Sequence, residues 1–210
     1  NMTPRQSRTG FESVMAYGFQ YLIFEYFIRQ FNVGFFDRPL DEVLRQYKRR
    51  IDNALGPDAI TLDHIAALHK VGYLPLHVKA IPEGTLVPIR VPVMTLRNTI
   101  DHAFWLPNML ETLISATVWG MMTSATTAFQ YRRKFEEYAT LTGAPKEFVP
   151  WQGHDFSMRG MFGIEAAILS GSAHLLSFTG TDTIPAIDFH ELYYGANSDR
   201  ELIGGSVPAT

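Results

Sequence analysis

The chain has 210 residues, 46% hydrophobic and 19% charged, with no cysteine and a formal net charge of −3. That length buries a substantial core without staples, and the lack of cysteine removes disulfides, thiolate nucleophiles and Cys-based zinc sites together, as fits a reducing, cytoplasmic setting. The near-neutral charge offers no single-sign field for nucleic acid or an anionic membrane, so any phosphate site must come from local arginines or backbone amides.

In chain order, the first predicted element is a helix over 11–31. Aromatic and aliphatic residues occupy most of its faces (Phe19, Leu22, Ile23, Tyr26, Phe27), as in a helix sunk in a core or an interface. Its apolar run is too short to cross a bilayer and contains Glu25 and Arg29. A second helix follows in "PLDEVLRQYKRRIDNALG", with Pro39 at its first position, Asp41 and Glu42 in the first turn and Gly56-Pro57 as the stop. A third, over 62–71, ends at Gly72.

The hydrophobic period then moves from 3.6 towards 2 in "YLPLHVKAIPEGTLVPIRVPVMTLRNT", which predicts two or three antiparallel strands with a turn at "PEG", residues 82–84. Pro75, Pro88 and Pro92 confine these strands to sheet edges or ends. Two helices are predicted over 105–142, first "WLPNMLETLISATVWG" and then the Ser/Thr/Ala-rich "MMTSATTAFQYRRKFEEYATLTG", where residues 132–134 form a solvated basic face. Beyond Gly143 the pattern is a strand in "HDFSMR", a helix over 162–171, a strand over 175–178, a tight turn and a helix over 185–194. That order suggests a parallel α/β unit. The expected organisation is a helical and antiparallel-sheet region at 1–149 and an α/β region at 150–210. The start on Asn rather than Met and the stop just after an apparent strand entry suggest a portion of a longer chain.

None of the seven histidines has metal-ligand spacing: His64 and His69 are five apart, and no H-E-x-x-H is present. No metal site is expected, and no G-x-S-x-G, P-loop or dinucleotide fingerprint occurs. The distinctive stretch is "GHDFSMRG…TGTDT". Strand alternation sets His154, Phe156 and Met158 on one side and Asp155, Ser157 and Arg159 on the other. If the two strands are parallel, Phe156, Arg159 and Asp182 meet at their C-terminal ends, where α/β proteins place their sites. Spacing alone leaves Asp182 open as a helix N-cap and Phe156 as plain core, whereas Arg159 has less structural excuse.

"HDFSMRG", "EAA", "SAHLLSFTGTDT" and "YYG" together resemble the signature region of the nicotinamide phosphoribosyltransferase family, among the type II phosphoribosyltransferases. "YGFQYLI", "GYLPLHVKAIPEGTLVPI", "FWLPNMLETLI" and "GGSVPAT" resemble further family blocks in the family's order, so the likeness covers nearly the whole chain. It implies an α/β (α+β) fold: an antiparallel sheet region with helices, then the first part of an irregular, TIM-like α/β barrel. It also implies transfer of a phosphoribosyl group from phosphoribosyl pyrophosphate to nicotinamide, with Mg2+ accompanying the pyrophosphate and ATP stimulating the cycle. A homodimer with a shared site is implied too, with the helix at 11–31 and the small-residue stretch at 121–128 as candidate contacts.

In the resemblance Phe156 stacks on the pyridine ring, Arg159 contacts phosphate oxygens and Asp182 accepts from the carboxamide; Arg159 and Asp182 are the catalytic pair. Arg5 helps to hold phosphates, and Ser206 and Val207 line the base tunnel. The family's D-S-Y-K-type block and the histidine expected after "SVPAT" have no counterpart in this sequence. The isolated chain is therefore expected to be inactive. The alternatives are a nicotinate phosphoribosyltransferase and a non-catalytic nicotinamide-binding or regulatory module.

Overall fold

The computed structural model describes residues 1–7 and 10–206. Its elements are β1 (Ser13–Met15), α1 (Phe19–Tyr21), α2 (Leu40–Leu55), α3 (Asp63–Val71), β2 (Leu76–Ala80), β3 (Leu86–Pro88), β4 (Met94–Asn98), α4 (Leu106–Thr142), α5 (Val149–Gln152), β5 (His154–Asp155), α6 (Ile164–His174), β6 (Gly180–Thr181) and α7 (Pro185–Tyr194). They form two compact units, one made of Asn1–Gln20, Ala80–Met94 and Ile114–Thr210, the other of Tyr21–Lys79 and Thr95–Leu113.

In the second unit, α1 continues as wider π-helical turns over Leu22–Gln30 and Asn32–Phe36. The i→i−5 bonds are explicit: the Phe31 amide donates to the Tyr26 carbonyl and the Asp37 amide to the Asn32 carbonyl. Phe35 packs edge-on against Phe36 and His69, and His64 against Trp105, so these two histidines serve as packing rings. The amphipathic α2 carries the i,i+4 ion pair of Lys48 with Asp52, its Glu42 pairs with Arg38 just ahead of the helix, and Val43 is buried. Pro39 is its N-cap rather than its first helical residue, with extended backbone (ψ 133°). Strands β2 and β4 pair with each other.

The predicted helix over 11–31 holds only from Phe19, because Ser13–Met15 is a strand antiparallel to β3, with Val14 opposite Val87. Gly18 separates the two states: its φ is +97°, and a Cβ there would come 2.6 Å from the Met121 sulfur. Of the two or three strands expected over 72–99, three are present, but β3 turns away from its sequence neighbours to join β1.

In the first unit, β1 is fixed to α4 by the Met15 amide, which donates to Thr126 Oγ1 at 2.9 Å. Two helices were expected over 105–142, yet α4 is one helix of 37 residues that passes through Gly120. A helical glycine costs only about 1 kcal/mol relative to alanine, less than the gain from burying flanking Val118, Met121 and Met122. Met121, Met122, Ala125 and Ala128 are all buried within the chain, so the inner face of 121–128 is not a free contact surface. The basic face at 132–134 is also divided. Arg132 is half-buried, donating to the Ser177 carbonyl at 2.7 Å and pairing with Glu136, while Arg133 and Lys134 are exposed.

The run at 175–178 is not a strand. Helix α6 reaches His174, and a turn leads on to β6 at Gly180–Thr181. The expected alternation from His154 likewise lasts two residues before the chain closes into a 3-10 turn at Ser157–Gly160. Helix α6 packs closely on this region through small residues: a Cβ on Gly171 would lie 2.9 Å from Thr183 and 3.0 Å from Asp155 Oδ2.

Candidate active site at three parallel strand ends

Strands β5 and β6 are parallel, with His154 opposite Gly180 and Asp155 opposite Thr181. A parallel bridge from Gly180 to Gly205 adds a third segment. The Asp182 amide donates to the Asp155 carbonyl at 2.8 Å and the Thr181 amide to the Gly205 carbonyl at 2.9 Å. Phe156, Asp182 and Ser206 are each the first residue past one of these segments. All three therefore emerge at the C-terminal edge, where a parallel sheet presents its loops.

Alternation sends the two residues of β5 to opposite faces. Asp155 goes inward and is 7% exposed. Its Oδ1 accepts from the Ser157 amide at 2.9 Å and its Oδ2 from the Thr183 hydroxyl at 2.7 Å. Burial pushes this carboxyl up, but the donors on Ser157 and Thr183, with His174 nearby, outweigh it and hold the group below the usual carboxylate range. His174, the last residue of α6, has its Nε2 3.0 Å from the Gly180 carbonyl and its ring against Phe178. Burial pushes it below the ordinary imidazole range.

His154 goes outward. Its Nε2 lies 2.8 Å from Asp182 Oδ1, and the Ser206 hydroxyl donates to that same oxygen at 2.7 Å. The donors on Ser206 and His154, then the charge of Arg159, keep the Asp182 carboxyl below its usual range. No hydrogen bond from a described residue reaches Asp182 Oδ2. The capping alternative for Asp182 does not hold, since the N-cap of α7 is Ile184, with no side-chain cap bond. The core alternative for Phe156 does not hold either. The residue is 54% exposed, and its ring stacks on His154 with centroids 4.2 Å apart and planes at 29°.

Phe156, Asp182 and Ser206 are therefore brought together, and Arg159 stands exposed on the 3-10 turn beside them. Arg5 is exposed on the N-terminal segment, which is tied down by the Met2–Met94 bridge and the Arg90 amide donating to the Pro4 carbonyl. Among the described residues it makes no hydrogen bond or ion pair with the other site residues. Val207 lies outside the described residues. The residue that sequence reasoning passed over is His154; its signal was the i,i+2 spacing to Phe156, which sets two rings on one side of a strand. A flat face, a carboxylate with one open oxygen and a nearby guanidinium suit an aromatic carboxamide next to phosphate.

No protein-family model matches the chain. Its fold is that of a phosphoribosyltransferase: human nicotinic acid phosphoribosyltransferase superposes with a TM-score of 0.59 over 90% of this chain and 32% of that one, at 18% identity. This bears out the mixed α/β architecture. Within that class the chain is a relative of the nicotinamide phosphoribosyltransferases. It is 48% identical to the Acinetobacter baylyi protein of that name over 216 aligned residues, the whole of this chain and 42% of the relative. It is 37% identical to the Xanthomonas campestris protein across 66% of this chain and 29% of the relative, and 36% identical to the Mycoplasma genitalium protein across 58% and 28%. The chain thus spans less than half the length of these curated relatives.

Proposed function

We propose that the protein takes part in nicotinamide phosphoribosyl transfer, forming nicotinamide mononucleotide and pyrophosphate from nicotinamide and phosphoribosyl pyrophosphate in NAD salvage. The observation that carries this reading is Asp182: one carboxylate oxygen is held by two side chains, the other accepts no hydrogen bond from a described residue, and His154 on that first oxygen stacks on the exposed Phe156. Phe156 offers its open face to the pyridine, and Asp182 Oδ2 accepts from the carboxamide NH2. The pyridine nitrogen attacks the anomeric carbon as the bond to pyrophosphate breaks, and the departing oxygens take the negative charge. Arg159 stabilises that charge, since its planar fork matches phosphate oxygens. Positioning supplies much of the rate, because the nucleophile belongs to the substrate.

The same carboxylate disfavours nicotinate, which would set two negative charges face to face. In this reading Ser206 keeps Asp182 oriented, while Arg5 and Val207 are proposed phosphate and tunnel residues. The described residues contain no group of three His, Asp or Glu side chains able to hold a metal ion. No step here runs through a protein-held Mg2+; in this reading the ion would arrive on the pyrophosphate of the co-substrate, as Mg2+ commonly does. Stimulation by ATP, a homodimer with a shared site and a cytoplasmic location belong to the same proposal. Among the described residues no helix is long and apolar enough to cross a membrane.

The test is product formation by the full-length protein from phosphoribosyl pyrophosphate with nicotinamide or nicotinate. Nicotinamide mononucleotide as the main product supports the reading, and exclusive use of nicotinate refutes it.

A further inference from the structure

We propose that His154 is a positioning and specificity-determining residue, a single imidazole that fixes both the ring platform and the amide acceptor of the pyridine pocket. This rests on the nicotinamide reading above. Phe156 and Asp182 come from different strand ends, and what joins their side chains is the His154 ring. Its face stacks on Phe156 at 4.2 Å, and its Nε2 meets Asp182 Oδ1 at 2.8 Å.

The ring itself has little freedom. The side chain is 11% exposed, and its Nδ1 edge faces Gly180 so closely that an added Cβ would lie 2.7 Å from that nitrogen. An ionised carboxylate can only accept, so Nε2 is the donor in its contact with Asp182 Oδ1. Ser206 donates to the same Oδ1, so both protein donors fall on one oxygen and Oδ2 is left for the ligand. The spacing between an aromatic face and an acceptor distinguishes a 3-carboxamide pyridine from other flat rings, and His154 is the side chain that touches both groups.

Two substitutions in the full-length protein separate the two contacts. His154→Phe keeps a ring against Phe156 but removes the donor to Asp182. Losing a charge-assisted hydrogen bond is expected to raise the nicotinamide KM about tenfold and lower the nicotinamide-to-nicotinate preference about tenfold. The kcat and the KM for phosphoribosyl pyrophosphate should stay within about threefold, as expected for loss of uniform binding. His154→Gln restores an N–H donor without the stack. It is expected to return the preference to within about threefold of the parent while KM rises for both pyridines together, because only the platform is loosened.

A His154→Phe protein with the parent's preference, or one in which the KM values for nicotinamide and phosphoribosyl pyrophosphate rise equally, overturns the proposal. So does a His154→Gln protein no more selective than His154→Phe. If the unsubstituted protein uses no nicotinamide, the functional reading falls first and this inference with it; activity in the parent with unchanged variants sinks the inference alone.

Discussion

The turn at Glu83 and the strand end at Asp182 each present a carboxylate on a loop of the first unit, but among the described residues only Asp182 has an oxygen that accepts no hydrogen bond. Glu83 Oε1 accepts from the Gln20 amide, and Oε2 accepts from the Gly18 amide and the Tyr194 hydroxyl. Both of its oxygens serve the start of α1 and the end of α7, where the amides of a helix N-terminus lack intrahelical partners. Asp155 is likewise saturated, one oxygen by Ser157 and the other by Thr183. Asp182 differs because both of its donors converge on Oδ1. What separates Asp182 from these two structural carboxylates is the oxygen left over among the described residues, rather than residue type, loop position or charge.

If that distinction is right, the three carboxylates should fail in different ways. The largest loss of stability is expected for Asp155→Ala, which leaves the Ser157 and Thr183 donors unmatched in a buried site and should cost about 3 kcal/mol. A urea titration measures it, and a loss below about 1 kcal/mol would contradict the structural role. Glu83→Ala should follow at about 2 kcal/mol, since two helix-start amides and a tyrosine hydroxyl lose their acceptor. Its pyridine preference should be that of the parent, whereas a changed preference would erase the contrast with Asp182.

A smaller effect is expected from pH. Burial lowers both His174 and His190, and His190 has its Nε2 2.9 Å from the Ser172 carbonyl. Their folded values lie below the unfolded one, so the unfolded chain takes up protons first. Their contribution is intact above about pH 6.5 and declines as pH falls from there towards the folded values. Melting temperature should therefore fall between pH 7.5 and 5.5, and His190→Gln should flatten the slope. A melting temperature that rises on acidification would contradict the assignment. Asp155 adds a later loss of the same sign, because its stabilisation holds above the ordinary carboxylate range and disappears as pH falls through its depressed value. The smallest effect on stability is expected for Asp182→Asn, whose melting curve should overlay that of the parent.

Much of this site was legible in the sequence because side chains just past parallel strands follow a geometric rule. Phe156 and Asp182 could be placed at a common edge once two parallel strands were supposed. The strands themselves were harder to read. "LLSF" is a four-residue apolar run, for which periodicity cannot separate strand from helix end, and in the structure it carries the exit turn of α6 with Phe178 against His174. The true strand, Gly180–Thr181, begins with a poor strand former and is fixed by its neighbours on both sides. Glu83 read only as part of a turn because its partners lie 63 to 111 residues away. His154 was hidden for the same reason, with Asp182 28 residues further along the chain.

The most direct test is calorimetric titration of nicotinamide and nicotinate into the full-length protein and its Asp182→Asn variant. The open Oδ2 predicts that the parent prefers nicotinamide, and that the variant binds it about tenfold more weakly as a charged acceptor is lost. The gap to nicotinate should narrow while affinity for phosphoribosyl pyrophosphate is retained. An Asp182→Asn protein that keeps the parent's preference, or loses both substrates equally, would show that Asp182 is not the amide acceptor.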